Sequence, residues 1–278
     1  MVIKFMDSTK FYRFWSLSIV GSVILVIISL FFVSCSKSEA KSAESPSPDI
    51  NANQRADTAP PPTPIPTVEP ISTLLADTED MGQAYIDSII FLGDSTTYSL
   101  RHYGVLSGGT ETTQVWTPEN GTFSLFNQGS IQIKYPETGE NMSIEAAVAL
   151  KKPEYMVITL GTNGIAMMEE TWFKEEYTAL ITRILETNPN TKIMLNSMYP
   201  VARNYTQLTQ INNEKINTGN TWVYSIAEEL GLRYLSTASI LKDSDGWLPD
   251  SYQNSDGMHL TREANMEVLR YIRTHGYR

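Results

Sequence analysis

A chain of 278 residues, 41% of them hydrophobic, has room for one good-sized domain with accessories or for two small domains. Its formal net charge of -10 becomes -12 once residues 1–34, which carry three positive charges and one negative, are set aside. An acidic surface repels phosphate backbones and argues against nucleic acid as a partner. The single cysteine, Cys35, excludes any disulfide within the chain.

The chain opens with Lys4, Lys10 and Arg13, and no charged residue follows from Phe14 to Val33. A basic start before an apolar run is the pattern of an export signal, so residues 1–35 are set apart from the fold. Phe32-Val33-Ser34-Cys35 resembles the lipobox of bacterial lipoproteins, with Cys35 as the lipidated residue, although Phe32 stands where leucine is usual. An uncleaved membrane-anchoring helix is the alternative, because about 20 apolar residues also span a bilayer. Either arrangement places the rest of the chain outside the cytoplasmic membrane, held to it by lipid or helix.

Residues 36–70 are rich in Ser, Ala and Pro, including Pro60-Pro61-Pro62. Repeated prolines favour extended backbone, and few large apolar residues are available for a core, so this stretch is predicted to be a tether. The folded domain is expected over 71–278, with a short helical lead-in from Ile71 to Tyr85.

Short apolar runs then alternate with amphipathic segments. Strands are predicted at Ile89 to Leu92, Ile131 to Tyr135, Tyr155 to Leu160, Lys192 to Asn196 and Leu232 to Leu235. Met156 to Leu160 lacks polar alternation, as a strand covered on both faces does. Helical spacing links Phe173, Tyr177, Leu180, Ile181 and Ile184, with Asn188-Pro189 as the stop. It also links Val223, Ile226, Ala227 and Leu230 before Gly231, and Ala264, Val268, Tyr271 and Ile272 after a Thr261 cap. Strand and helix in alternation predict an α/β fold, a three-layer α/β/α sandwich around a mainly parallel five-stranded sheet. Residues 104–126 interrupt the alternation. Their Asn120-Gly121 pair suggests an inserted hairpin, Thr113 to Trp116 against Thr122 to Phe126, which either shapes the substrate site or is a surface feature.

Three polar blocks carry candidate chemistry. Gly93-Asp94-Ser95 ends the first apolar run, where a strand turns into a helix and an α/β fold exposes side chains. Its plain alternative is a helix cap. Gly161-Thr162-Asn163-Gly164 follows the most hydrophobic strand, where the Asn163 amide can face a developing oxyanion or simply complete a turn. Asn254-Ser255-Asp256-Gly257-Met258-His259 precedes the last helix, and Asp256 can fold back to orient the His259 ring. Of the other histidines, His102 suits a helix surface and His275 lies at the chain end.

Taken together, these blocks resemble the SGNH or GDSL hydrolases over most of residues 85–278. The matches are Gly93-Asp94-Ser95, Gly161-Thr162-Asn163 and Asp256-Gly257-Met258-His259-Leu260. The resemblance implies a flavodoxin-like sandwich, with Ser95 as nucleophile, His259 as base, Asp256 as its orienting acid, and no metal or organic cofactor. It also implies an oxyanion hole built from the Ser95 amide, Asn163 and the backbone of a glycine. Gly139, between a predicted strand and the helix near Ser143, is the choice for that glycine, and Gly129 is the competitor. Gly164 stands where the family commonly has an acidic residue.

The expected function is an extracytoplasmic serine esterase acting on acyl, preferably acetyl, esters of carbohydrate or cell-wall glycan. Trp116, Tyr199 and Trp247 are candidates to stack on sugar rings. Two other readings stay open: an O-acyltransferase using the same residues, and a tethered glycan-binding module without catalysis.

Overall fold

The computed structural model describes residues 72–277, which lie in one compact unit. The export segment at 1–35, its Cys35 and the tether at 36–70 lie outside the described residues. The elements in chain order are α1 (Gly82–Asp87), β1 (Ile89–Gly93), α2 (Ser95–His102), β2 (Val115–Trp116), β3 (Gln132–Lys134), β4 (Asn141–Ser143) and α3 (Ile144–Lys151). They continue with β5 (Tyr155–Thr159), α4 (Glu170–Thr187), β6 (Lys192–Asn196), α5 (Asn213–Glu229), β7 (Arg233–Leu235) and α6 (Arg262–Arg273).

Five strands form one sheet in the order β2-β1-β5-β6-β7, and every neighbouring pair is parallel. Successive side chains of a strand point to opposite faces, so each apolar run feeds two cores. Ile90, Leu92, Met156, Ile158, Ile193 and Leu195 pack with Val148, Tyr177 and Val223 from α3, α4 and α5. Ile89, Phe91, Val157 and Met194 pack on the other side with Ile86, Leu100 and Val268 from α1, α2 and α6. The result is the α/β/α sandwich that the alternation of elements predicts. The faces read from helical spacing are the buried ones: Phe173, Tyr177, Leu180, Ile181 and Ile184 in α4, and Ala264, Val268, Tyr271 and Ile272 in α6. Thr261 caps α6, its side chain accepting from the Ala264 amide. Among the described residues no helix is long and apolar enough to cross a membrane.

Three local expectations are corrected. Ile131 to Tyr135 does not join the main sheet; β3 pairs antiparallel with β4 in a separate two-stranded sheet. Its alternation, with Ile133 buried between exposed Gln132 and half-buried Lys134, suits a strand with one wet face. The fifth strand is instead β2, which lies parallel to β1 with Phe91 opposite Val115, so residues 104–126 do not form the expected hairpin. Finally, the lead-in is extended before α1: Leu74 bridges Tyr234 in parallel, placing residues 73–75 along the β7 edge.

Candidate active site

All five strands point the same way, so the ends of β1 and β5 open on one side of the sheet. The close pairing of these two strands depends on Gly93. A Cβ there would lie 2.0 Å from Thr97 Oγ1 and 2.6 Å from the Thr159 carbonyl, so only glycine fits. The chain then turns into α2. Asp94 is the N-cap, and its Oδ1 accepts from the Thr96 amide at 2.9 Å and the Thr96 hydroxyl at 2.8 Å. Ser95 is thereby the first residue of α2, half-buried, and its amide donates to no group among the described residues.

His259 arrives from the loop before α6. Asp256 Oδ1 accepts the Met258 and His259 amides at 2.8 and 2.9 Å, which curls the loop around the carboxylate. Its other oxygen, Oδ2, lies 2.7 Å from His259 Nδ1. Across the ring, His259 Nε2 lies 2.8 Å from Ser95 Oγ. Helix α2, which carries Ser95, and helix α6, which follows the His259 loop, are joined behind the pair by a buried hydrogen bond from Ser99 Oγ to Asn265 Oδ1 at 2.7 Å. Asn265 Nδ2 in turn donates to the Thr261 carbonyl at 2.8 Å. Residues 164 positions apart in the chain are held in register by this link between α2 and α6.

The two carboxylates of the site experience opposite environments. Partial burial pushes the Asp256 carboxyl upward, but the Met258 and His259 amides and the His259 ring outweigh it and hold the group below its ordinary range. Burial dominates at Asp94, which is 1% exposed, and raises its carboxyl despite the Thr96 hydroxyl and amide and the nearby His259 ring. Asp256 is therefore the group suited to stay ionised beside an imidazole. Asp94 holds the turn that presents Ser95.

The structure does not bring the other named donors together as expected. Asn163 does reach the site, but its Nδ2 donates to Asp94 Oδ2 at 3.1 Å and to the Phe123 carbonyl at 3.2 Å. Gly139 lies in the β3–β4 turn, and its amide donates to the Tyr135 carbonyl at 2.8 Å, which corrects its assignment as an oxyanion donor. Gly129, the competitor, lies in a 3-10 segment over Leu125–Ser130. The glycine beside Ser95 is Gly121: a Cβ there would lie 3.5 Å from Ser95 Cβ. Its amide closes a turn onto the Pro118 carbonyl at 2.9 Å. The Asn120-Gly121 pair signals this turn in the sequence, but the segments that flank it do not pair as strands.

Two of the three aromatic candidates for sugar stacking are also corrected. Trp116 is fully buried and packs edge-on against Tyr135. Tyr199 is buried too; its hydroxyl accepts from Asn196 Nδ2 at 3.4 Å, and burial raises its phenol. Trp247 is half-buried beneath the Arg203 guanidinium. Among the described residues, exposed aromatic rings lie elsewhere, at Tyr98, Phe126 and Trp172. No group of three or more His, Cys, Asp or Glu able to hold a metal ion occurs among the described residues.

The sequence matches the family model of the GDSL-like lipase/acylhydrolases over residues 91–265. No curated protein matches it. Solved structures similar to it include a candidate platelet activating factor from Streptococcus pneumonia, at 21% identity and a TM-score of 0.49, covering 66% of this chain and 81% of the other. A GDSL-like lipase from Bacteroides thetaiotaomicron aligns at 16% identity and a TM-score of 0.45, covering 68% and 87%. A carbohydrate esterase family 3 protein from Talaromyces cellulolyticus aligns at 13% identity and a TM-score of 0.44, covering 66% and 93%.

Proposed function

Because the chain belongs to the GDSL-like lipase/acylhydrolase family, we propose that it is a serine esterase in which Ser95, His259 and Asp256 act as a triad on short acyl esters. The observation that carries this reading is the unbroken path from Asp256 Oδ2 through both ring nitrogens of His259 to Ser95 Oγ, with contacts of 2.7 and 2.8 Å. A carboxylate on Nδ1 fixes the tautomer that leaves Nε2 free to accept a proton.

In the reaction, Ser95 Oγ attacks the ester carbonyl carbon while its proton passes to His259 Nε2. The tetrahedral intermediate collapses, the C–O bond to the alcohol breaks, and the departing oxygen takes that proton. Water then attacks the acyl-serine, losing its proton to His259, and the carboxylic acid leaves with Ser95 restored. The Ser95 amide, at the positive end of α2, is the ready donor to the oxyanion. Asn163 becomes the second donor by exchanging its 3.2 Å bond to the Phe123 carbonyl for one to the oxyanion while keeping Asp94.

The basic start, the uncharged run from Phe14 to Val33 and Cys35 support an extracytoplasmic enzyme held at the membrane. Such a location favours acetyl esters of carbohydrate or cell-wall glycan as substrates. Ser95→Ala is expected to abolish turnover of 4-nitrophenyl acetate and of O-acetylated glycans; residual turnover within tenfold of the parent would refute the nucleophile. Cys35→Ser is expected to release the protein from membranes if lipid is the anchor, whereas retention would assign the anchor to the N-terminal helix.

A further inference from the structure

We propose that the cavity beside α2 is a subsite for an uncharged sugar ring in the alcohol portion of the substrate, an inference that rests on Ser95 being the nucleophile. The cavity measures about 410 Å³, within the range of small-molecule sites, which is about 300–1,000 Å³. One wall is α2, with Tyr98, Arg101 and His102; the other is the segment from Thr117 to Glu119, together with Lys134. Both walls lead back to the nucleophile. The Tyr98 amide donates to the Asp94 carbonyl at 3.0 Å, which places this residue about one helical turn, roughly 5 Å, beyond the start of α2. Pro118 closes the turn that sets Gly121 against Ser95.

The lining selects the class of ligand. Tyr98 is 43% exposed and offers a bare ring at the cavity, its neighbour His102 lying tilted 6.3 Å away. Sugar rings present C–H faces that pack on such an aromatic surface. Around it the charges balance: Arg101 and Lys134 are set against Glu111 and Glu119. Lys134 and Glu119 form an ion pair, and Arg101 Nε donates to the Thr110 carbonyl at 3.0 Å. This mixture supplies donors and acceptors for hydroxyl groups. It lacks the net positive charge that an anionic ligand needs and the apolar walls that a long acyl chain needs.

The test uses the full chain and compares kcat/KM for partially O-acetylated xylo-oligosaccharides with kcat/KM for 4-nitrophenyl acetate. Taking the ratio cancels any change in the fraction of folded enzyme. In Tyr98→Ala the ratio is expected to fall about tenfold, through KM of the oligosaccharide, and Tyr98→Phe is expected to restore it. An unchanged ratio in Tyr98→Ala would overturn the subsite while leaving the esterase reading intact. A parent enzyme without Ser95-dependent turnover of either ester would instead overturn the esterase reading. The subsite is then judged by saturation-transfer NMR with unacetylated xylohexaose, where a signal lost in Tyr98→Ala supports it and no signal in the parent refutes it. A stronger signal from oligogalacturonate than from xylohexaose would overturn the assignment to an uncharged sugar.

Discussion

Asp256 is held by three hydrogen-bond donors, two of them backbone amides from its own loop, and this local arrangement makes the stability of the fold depend on pH. Its folded-state carboxyl lies below the ordinary value of 3.8. Ionised Asp256 therefore contributes stability that is present above that value and is lost as pH falls through the lowered folded value. Asp256→Asn is expected to flatten this part of the acid limb, as measured by urea midpoints at a series of acidic pH values. An unaltered slope would mean that the shift does not arise at Asp256. The same variant presents an amide to the ring and disfavours the productive tautomer, so kcat is expected to fall by roughly 10³- to 10⁴-fold. Loss of less than tenfold would remove Asp256 from the triad. These residues are legible in the sequence because Asp256-x-x-His259 closes within one loop. Gly121 is not, because its approach to Ser95 comes from two segments that meet only in the folded protein. Nor does the sequence distinguish buried Trp116 and Tyr199 from the exposed ring of Tyr98, since burial of an aromatic ring depends on contacts between distant segments.

At the scale of elements, the site depends on how tightly β1 lies against β5 before α2 begins. Gly93 pairs with Thr159, and the Thr97 hydroxyl fills the space a side chain at 93 would need. Gly93→Ala sets a methyl group against the Thr159 backbone carbonyl, which has no rotamer with which to escape. Overpacking of this kind costs about 1–3 kcal/mol, and the strand must shift with Ser95 attached to its end. Both the urea midpoint and kcat are expected to fall; a variant with the parent's midpoint would show that the strands can separate freely here. Continuous apolar runs made β1, β5 and β6 readable, because strands buried on both faces have no alternation to confuse. The two-residue β2 is too short to leave a periodic signal inside a polar segment. The more regular run at Ile131 to Tyr135 has a clearer strand signal, and its polar alternation is that of a one-sided strand.

Across the whole molecule, the segment before α1 binds the sheet edge to the end of the chain. The Leu75 amide donates to the Tyr234 carbonyl at 3.0 Å, and the Tyr234 amide donates to the Thr73 carbonyl at 2.7 Å. Further on, the Thr78 and Met81 amides donate to the Thr274 and Arg273 carbonyls, and Arg273 Nε reaches Asp80 Oδ1 at 2.8 Å. The segment thus covers the exposed edge of β7 and fastens the C-terminal end of α6, the helix whose other end follows His259. The expected helical lead-in from Ile71 to Tyr85 gives way here to extended chain, because the sheet edge it pairs with is formed by residues far along the chain. Removing residues before Gly82 takes away the two backbone bonds to Tyr234, worth about 0.5–1.5 kcal/mol each, and buried Leu75, worth about 1.5–3 kcal/mol. The loss of about 3 kcal/mol or more corresponds to a Tm lower by roughly 6–12 °C for a domain of this size. Calorimetry of chains beginning at Ser72 and at Gly82 tests this, and equal Tm values would refute the clamp. The shorter chain also leaves the β7 edge unpaired, so its unfolding is expected to become irreversible through edge-to-edge association.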